Sequence, residues 1–324
     1  MKIGILGAGN IASIMARTIS QMENATCYAV AARDEERAEK FAKAYGFEKA
    51  YGSYEALVKD EEVELIYIAT PHSHHYEHAK LCIEHGKAVL CEKAFTRNAK
   101  EAKEILALAK EKGVFITEAI WTRFMPSRKM INDLLASGII GKPMTLTANL
   151  GYVIAHKERI AEPALAGGAL LDIGLYPLNF ALMVFGNEFD KITSTAILSE
   201  KGVDLQNSIT LSYKTGEMAV LNSTTLALSD RQGIISGDKG YMIIENINNC
   251  ERIRIFNTER QEVKCVEVPQ QITGYEYEVE AAIRAIQAGK IECEEMPHEE
   301  TIRVMEMMVA LRKEWGVSYP GEEL

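Results

Sequence analysis

The chain has 324 residues, 47% of them hydrophobic and 25% charged, with a net charge of −10 from 36 basic and 46 acidic side chains. That length exceeds one ordinary core and leads us to expect two domains. The acidic balance argues against a nucleic-acid partner, which needs a basic stripe, but not against a phosphorylated small molecule, because local charge decides that. Six cysteines, at 27, 82, 91, 250, 265 and 293, form no C-x-x-C pair, which excludes zinc-ribbon and thioredoxin motifs. Scattered thiols in a chain this long read as the reduced residues of a cytoplasmic protein. Met1-Lys2 runs into a strand-like segment instead of a charged and apolar leader, and no apolar run reads as a span, so neither export nor a membrane is expected.

Residues 2–6 (KIGIL) read as a short buried strand, after which Ile11, Ile14, Met15, Ile19 and Met22 fall on one side of a helix over 10–21. Residues 26–32 form the next strand, and Asp34 stands as the N-cap of a helix that runs to Tyr45 and stops at Gly46. A third strand over 65–69 precedes a helix over 74–85, a fourth over 88–91 precedes a helix over 98–112, and 114–118 makes a fifth. This alternation predicts a doubly wound parallel sheet of Rossmann type with right-handed crossovers. After about residue 120 the period changes. A helix over 127–137, a strand over 144–152, an irregular stretch over 153–168 and a helix over 172–184 lead into short β-rich runs from 190 to 257. Ile209, Leu211 and Tyr213 alternate with Ser208, Thr210 and Ser212, and Lys214-Thr215-Gly216 makes a hairpin turn, so this open sheet is expected to be largely antiparallel. Helices over 275–288 and 297–313 close the chain. The expected organisation is a Rossmann domain over 1–120 and an α+β domain over 121–324.

Gly7-Ala8-Gly9-Asn10-Ile11-Ala12 is G-x-G-x-x-A between the first strand and the first helix, the context that turns a weak motif into a dinucleotide site. Gly7 permits the tight turn, Gly9 lets the backbone approach a pyrophosphate, and Asn10 and Ile11 open a helix whose N–H groups face it. The second strand ends Ala31-Ala32-Arg33-Asp34, where an NAD enzyme usually places an acid for the ribose 2′-OH. Small Ala32 leaves room for a 2′-phosphate, and Arg33, with Arg37 one turn on, can pair with it. NADP(H) is therefore the expected cofactor, with Asp34 read as a helix cap; if Asp34 faced the ribose, NAD(H) would be preferred. Glu92-Lys93 directly follows the fourth strand, where ligands of open α/β sheets bind, although a loop lysine has by itself a bland surface reading. His72, His74, His75 and His78 invite a zinc reading, but no H-E-x-x-H is present and Glu77 points elsewhere on a helix, so no metal is expected.

The glycine loop, Thr70-Pro71 after the third strand, Glu92-Lys93 after the fourth, and Gly167-Gly168-Ala169-Leu170-Leu171-Asp172-Ile173-Gly174-Leu175-Tyr176 stand in the order of the Gfo/Idh/MocA oxidoreductases, which the whole chain resembles. Glu118-Ala119-Ile120-Trp121-Thr122-Arg123-Phe124 is further similar to the dihydrodiol and xylose dehydrogenase branch. Two departures stand out: Ala94 replaces the family proline after Glu-Lys, and Tyr176 replaces a histidine, as it does in that branch. The resemblance implies Thr70, Pro71, His72, His75, Glu92 and Lys93 beside the nicotinamide. It implies Lys93, Asp172 and Tyr176 as the catalytic set, with Tyr176 as acid–base and Asp172 orienting the pair or binding a substrate hydroxyl, the two on one face of a helix at i and i+4. Trp121, Arg123 and Phe124 are expected at the substrate, Trp121 equally readable as packing and Arg123 as a bridge between domains. The implied reaction is hydride transfer to or from a sugar, polyol, diol or related carbonyl. A nucleotide-binding regulator and an NAD-dependent glycosidase are the rival readings. A homodimer or higher oligomer through the C-terminal sheet is expected.

Overall fold

In the computed structural model, which describes residues 1–322, the first part of the chain alternates as its periodicity predicts. It runs β1 (Lys2–Leu6), α1 (Asn10–Ile19), β2 (Thr26–Ala31), α2 (Glu35–Tyr45), β3 (Lys49–Tyr51), α3 (Tyr54–Val58), β4 (Leu65–Ile68), α4 (His75–Glu84), β5 (Ala88–Glu92), α5 (Ala99–Lys112) and β6 (Ile116–Ala119). The six strands pair in parallel in the order β3-β2-β1-β4-β5-β6. Helices on both faces leave β4 buried throughout and β5 nearly so, which is why these strands read as continuous apolar runs. Side-chain caps start α2 and α5: Asp34 accepts from Arg37 N–H at 2.8 Å and Asn98 from Glu101 N–H at 3.0 Å. Strand β3 and helix α3, absent from the sequence expectation, are three and five residues long, too short to show a period.

Beyond β6 come α6 (Pro126–Ala136), β7 (Pro143–Gly151), α7 (Glu158–Ala161), a wide π-type turn at Leu170–Gly174 and α8 (Leu175–Phe185). Then follow β8 (Phe189–Leu198), β9 (Asp204–Tyr213), β10 (Met218–Thr224), β11 (Gly233–Gly237), β12 (Gly240–Ile244), β13 (Arg252–Asn257), β14 (Glu262–Glu267), α9 (Glu276–Gln287) and α10 (His298–Trp315). The second sheet has eight strands in the order β14-β13-β12-β11-β7-β10-β9-β8, all pairs antiparallel except β7 with β10. The stretch over 153–168 is less irregular than expected, for it holds α7 and a one-turn helix at Pro163–Leu165. Strand β14 lies beyond the expected limit of 257. Its EVKCVE sequence sits exposed at a sheet edge and so lacks an apolar alternation.

The expectation that no apolar run suits a membrane span needs correction. Pro163–Phe185 is long and apolar enough by length and composition, with a mean hydropathy of 1.6, but 83% of that window is buried within the protein. It forms the core helix under the second sheet, and Leu175 to Leu182 are all buried. The two compact units are also discontinuous: Met1–Phe124 with Gln271–Glu306, and Met125–Gln270 with Met307–Leu324. The change of period near 120 marks the first crossing between units; the later crossings fall where helical patterns continue, and no change of period marks them.

Candidate cofactor site and active-site residues

In the first unit, β1, β4 and β5 are neighbours, so the segments after them emerge side by side at the carboxyl edge of the sheet. Gly7 follows β1 with φ 109°, and a Cβ there would stand 2.9 Å from the Ala69 carbonyl oxygen. Only glycine fits this turn, which Gly7 N–H fastens to Ala31 O at 2.9 Å. A Cβ on Gly9 would meet nothing within 4 Å, and no side chain caps the start of α1. The first N–H groups of α1, at exposed Asn10 and half-buried Ile11, are thus open to an anion, and this geometry fits a dinucleotide pyrophosphate. Asp34 is turned onto α2 as its cap, as the sequence reading has it. Ala32 is buried beside it, Arg33 is exposed, and the Arg37 guanidinium donates to Ala8 O at 2.9 Å, which places a cation against the glycine loop.

The segments after β4 and β5 are tied by one imidazole. His75 is fully buried, with Nε2 at 2.8 Å from Thr70 O and Nδ1 at 2.9 Å from Ala94 O. A neutral ring can donate to only one of two carbonyls. Burial pushes the His75 pKa down, the backbone carbonyls oppose that, and the Lys93 charge adds to the fall. Thr70 Oγ1 stands 3.0 Å from His78 Nδ1, and burial holds His78 down at about 4. Pro71 is exposed, and His72 lies half-buried with its ring edge-on to His75. Lys93 is half-buried, and the peptide joining it to Ala94 is cis. Glu92, buried, accepts from the Tyr67 hydroxyl and from Lys93 N–H at 3.2 Å. Glu118 accepts from Phe95 N–H at 3.2 Å, and burial pushes its carboxyl up to about 7 against the pull of Thr301 and Arg123.

Trp121 is buried and stacks on Tyr275, ring centroids 4.2 Å apart and planes 11° from parallel. Arg123 is buried with its guanidinium on Glu300 at 2.9 Å, and Phe124 is buried beside it in sequence. Tyr275 was not among the residues singled out from the sequence. It lies far from Trp121 along the chain, and its Gly274-Tyr275 dipeptide carries no motif.

In the second unit, Asp172 sits in the wide turn and Tyr176 in the first turn of α8, both buried. The wide turn that carries Asp172 runs directly into α8, so the pair stands on one continuous helical segment four residues apart. Asp172 forms an ion pair with Arg159 of α7, a residue the sequence reading passed over as part of an irregular stretch. Asp204 holds the start of this helical segment: its Oδ2 accepts from Leu170 N–H at 2.8 Å and from Asn207 Nδ2 at 2.9 Å. The Tyr319 hydroxyl donates to Gly167 O at 2.8 Å and fixes the glycine pair before it.

A parallel sheet with a glycine turn at its switch point, followed by a unit with a large open sheet, defines a two-part dinucleotide-dependent oxidoreductase. The chain belongs to the Gfo/Idh/MocA family. Residues 1–119 match the model of the oxidoreductase family with an NAD-binding Rossmann fold, and 129–243 match the GFO/IDH/MocA C-terminal domain. Among its relatives are the trans-1,2-dihydrobenzene-1,2-diol dehydrogenases of Homo sapiens, 36% identical, and Mus musculus, 35% identical; each match covers 100% of this chain and 99% of the relative. Among solved structures, a 3-ketoreductase from Actinomadura kijaniata in complex with NADP and TDP-benzene superposes with a TM-score of 0.88 at 22% identity, over 97% of each chain. An aldose-aldose oxidoreductase from Caulobacter crescentus gives 0.86 at 20% identity, over 97% of this chain and 96% of its own.

Proposed function

We propose that the chain is an NADP(H)-preferring dehydrogenase or reductase acting on a sugar, polyol, diol or related carbonyl compound. The observation that carries this reading is the side-by-side emergence of Gly7, Thr70 and Lys93 from β1, β4 and β5. Capping of α2 by Asp34 supports the cofactor preference, because it leaves Arg33 and Arg37 as the polar groups for a 2′-phosphate. NAD(H) lacks that phosphate and forgoes those contacts. The names of the relatives, diol dehydrogenases and a ketoreductase, support the substrate class.

When bound, NADPH supplies the hydride to the carbonyl carbon. Tyr176 gives its phenolic proton to the carbonyl oxygen in reduction and takes it back in oxidation. Lys93 is the cation of the proposed catalytic set, as the resemblance implies. Asp172, already paired with Arg159, orients the acid or accepts from a substrate hydroxyl. Trp121 with Tyr275 offers a flat apolar wall to a ring, and Arg123 and Phe124 border it. All six cysteines are free and five are buried, which suits work in the reducing cytoplasm.

Tyr176→Phe removes one oxygen and keeps the ring. Its kcat for carbonyl reduction should fall by about 10²–10⁴-fold with NADPH affinity nearly unchanged. Lys93→Met should do similar damage, and the double variant little more, because the two act as one unit. A Tyr176→Phe protein that melts like wild type and keeps most of its kcat refutes the assignment.

A further inference from the structure

A third carboxyl lies behind the Glu92-Lys93 pair. Glu278, in the first turn of α9, is fully buried, and neither of its carboxyl oxygens has a hydrogen-bond partner among the described residues. The charged and titratable groups that face it are Glu92 from β5, Tyr67 from β4 and Cys293 from the segment after α9, while Tyr275 at the head of its own helix acts on Tyr67. Glu118 on β6 acts on Glu92 in turn, and Arg284 and Glu295 act on Cys293. Glu92 is the one with work to do. Its Oε1 takes the Tyr67 hydroxyl and its Oε2 takes the N–H of Lys93, so its carboxylate fixes the peptide that carries the lysine.

Two carboxylates in a dry site cannot both stay ionised without strong repulsion. Glu92 has a hydroxyl and an amide to hold its charge, and Glu278 has neither. The proton therefore belongs on Glu278. We propose that Glu278 carries a proton in the active protein and is a positioning residue for Lys93, acting through Glu92. While Glu278 is neutral, Glu92 keeps its hold on Tyr67 and on the Lys93 peptide. When Glu278 ionises, repulsion drives Glu92 off those donors and Lys93 loses its place. Burial first, and the Glu92 charge second, push the Glu278 carboxyl well above its ordinary range. Burial and the same two carboxylates also push the Tyr67 phenol up, which keeps it a donor to Glu92. This rests on the proposed role of Lys93 at the reacting carbonyl and adds to it a residue remote from that carbonyl.

Glu278→Gln is the neutral isostere. Difference infrared spectra of full-length wild type and variant at neutral pH read the protonation without any assay of turnover. The wild type should show the C=O stretch of a neutral carboxylic acid that the variant lacks. A group protonated only in the folded state destabilises the fold as pH rises above the ordinary carboxyl range. The folding equilibrium constant of Glu278→Gln should therefore gain on wild type by up to about tenfold per pH unit there. If the infrared band is not lost, or the two proteins share one dependence of stability on pH, Glu278 carries no proton and the proposal fails. The positioning claim is read from kcat against pH: the alkaline fall of the wild type should move to higher pH in Glu278→Gln. Glu278→Ala, which only opens a hole, should lower the melting temperature. Infrared and stability results as expected with superimposable kcat profiles overturn the positioning role. Wild-type protein that reduces no carbonyl with NADPH overturns the oxidoreductase reading instead, and leaves the two physical readouts standing.

Discussion

Gly168 tests how the helical segment bearing Asp172 and Tyr176 is held. Its φ is 117°, and a Cβ there would lie 2.3 Å from Asp204 Oδ1. Asp204 is buried, and burial raises its carboxyl only to about 6, so near pH 7 it is mostly ionised and caps Leu170 N–H through Oδ2. Gly168→Ala must therefore bear two costs. The backbone conformation costs about 1–3 kcal/mol for a residue with a side chain. Displacing Asp204 forfeits a hydrogen bond to a charged group, about 1.5–3 kcal/mol. The sum, about 2.5–6 kcal/mol, is a large share of a typical stability. Gly186→Ala is the companion: φ is 79° there and nothing lies within 4 Å of the added carbon, so it carries the backbone cost alone. Urea titrations of both variants separate the two costs, and NADPH binding to Gly168→Ala should remain, because the proposed cofactor residues lie in the other unit. The reasoning is refuted if Gly168→Ala costs no more than Gly186→Ala.

Arg33→Ala should weaken NADPH by about 1.5–3 kcal/mol and barely change NADH, read as fluorescence-derived Kd values; equal losses for both would show that Arg33 does not meet a 2′-phosphate. Glu118 keeps a proton in the fold from its ordinary value of 4.5 up to about 7, so the stability it contributes is present in acid and lost as pH rises through that window. Glu118→Gln should then gain on wild type by up to about 3 kcal/mol across it, and parallel stability curves would contradict this. The outer face of the second sheet bears Ser208, Thr210 and Ser212 together with exposed Met218, Val220 and Ile197, a surface we expect to pair two-fold with a second copy. Light scattering at micromolar protein should show twice the 36.0 kDa chain mass, and a single-chain mass refutes the pairing.

What the sequence made legible follows from period and punctuation. Runs such as Leu65–Ile68 are buried on both faces and hence continuously apolar, and Asp34, Asn98, Gly46 and Gly113 mark helix ends by mechanisms that act within a few residues. The glycine turn was legible for the same local reason. Illegible were features that depend on distant parts of the chain. Tyr275 reaches Trp121 from a segment that folds back into the first unit, and no local pattern announces that return. Arg159 belongs to a four-residue helix, and the pairing with Asp172 is tertiary. Glu278 reads as one more acidic position on an amphipathic helix, and only the sheet behind it makes it a buried acid.

Ala94 in place of proline shows how such tertiary contacts stand in for local rules. A proline ring would restrict this turn by its own φ; an alanine leaves the restriction to its surroundings. Three successive residues answer to three buried titratable side chains: Lys93 N–H donates to Glu92, Ala94 O stands at hydrogen-bond distance from His75, and Phe95 N–H donates to Glu118. Each bond comes from a different element, β5, α4 and β6, so the turn is held from three sides. Holding a loop with ionisable groups couples its shape to proton uptake. Ionisation of Glu118 strengthens the acceptor for Phe95, while protonation of His75 completes its second bond, from the ring nitrogen that a neutral imidazole leaves without a proton. The two preferences oppose each other along the pH axis: rising pH strengthens the Glu118 bond as its carboxyl ionises near about 7, while burial favours the neutral His75 ring, which donates to one carbonyl only.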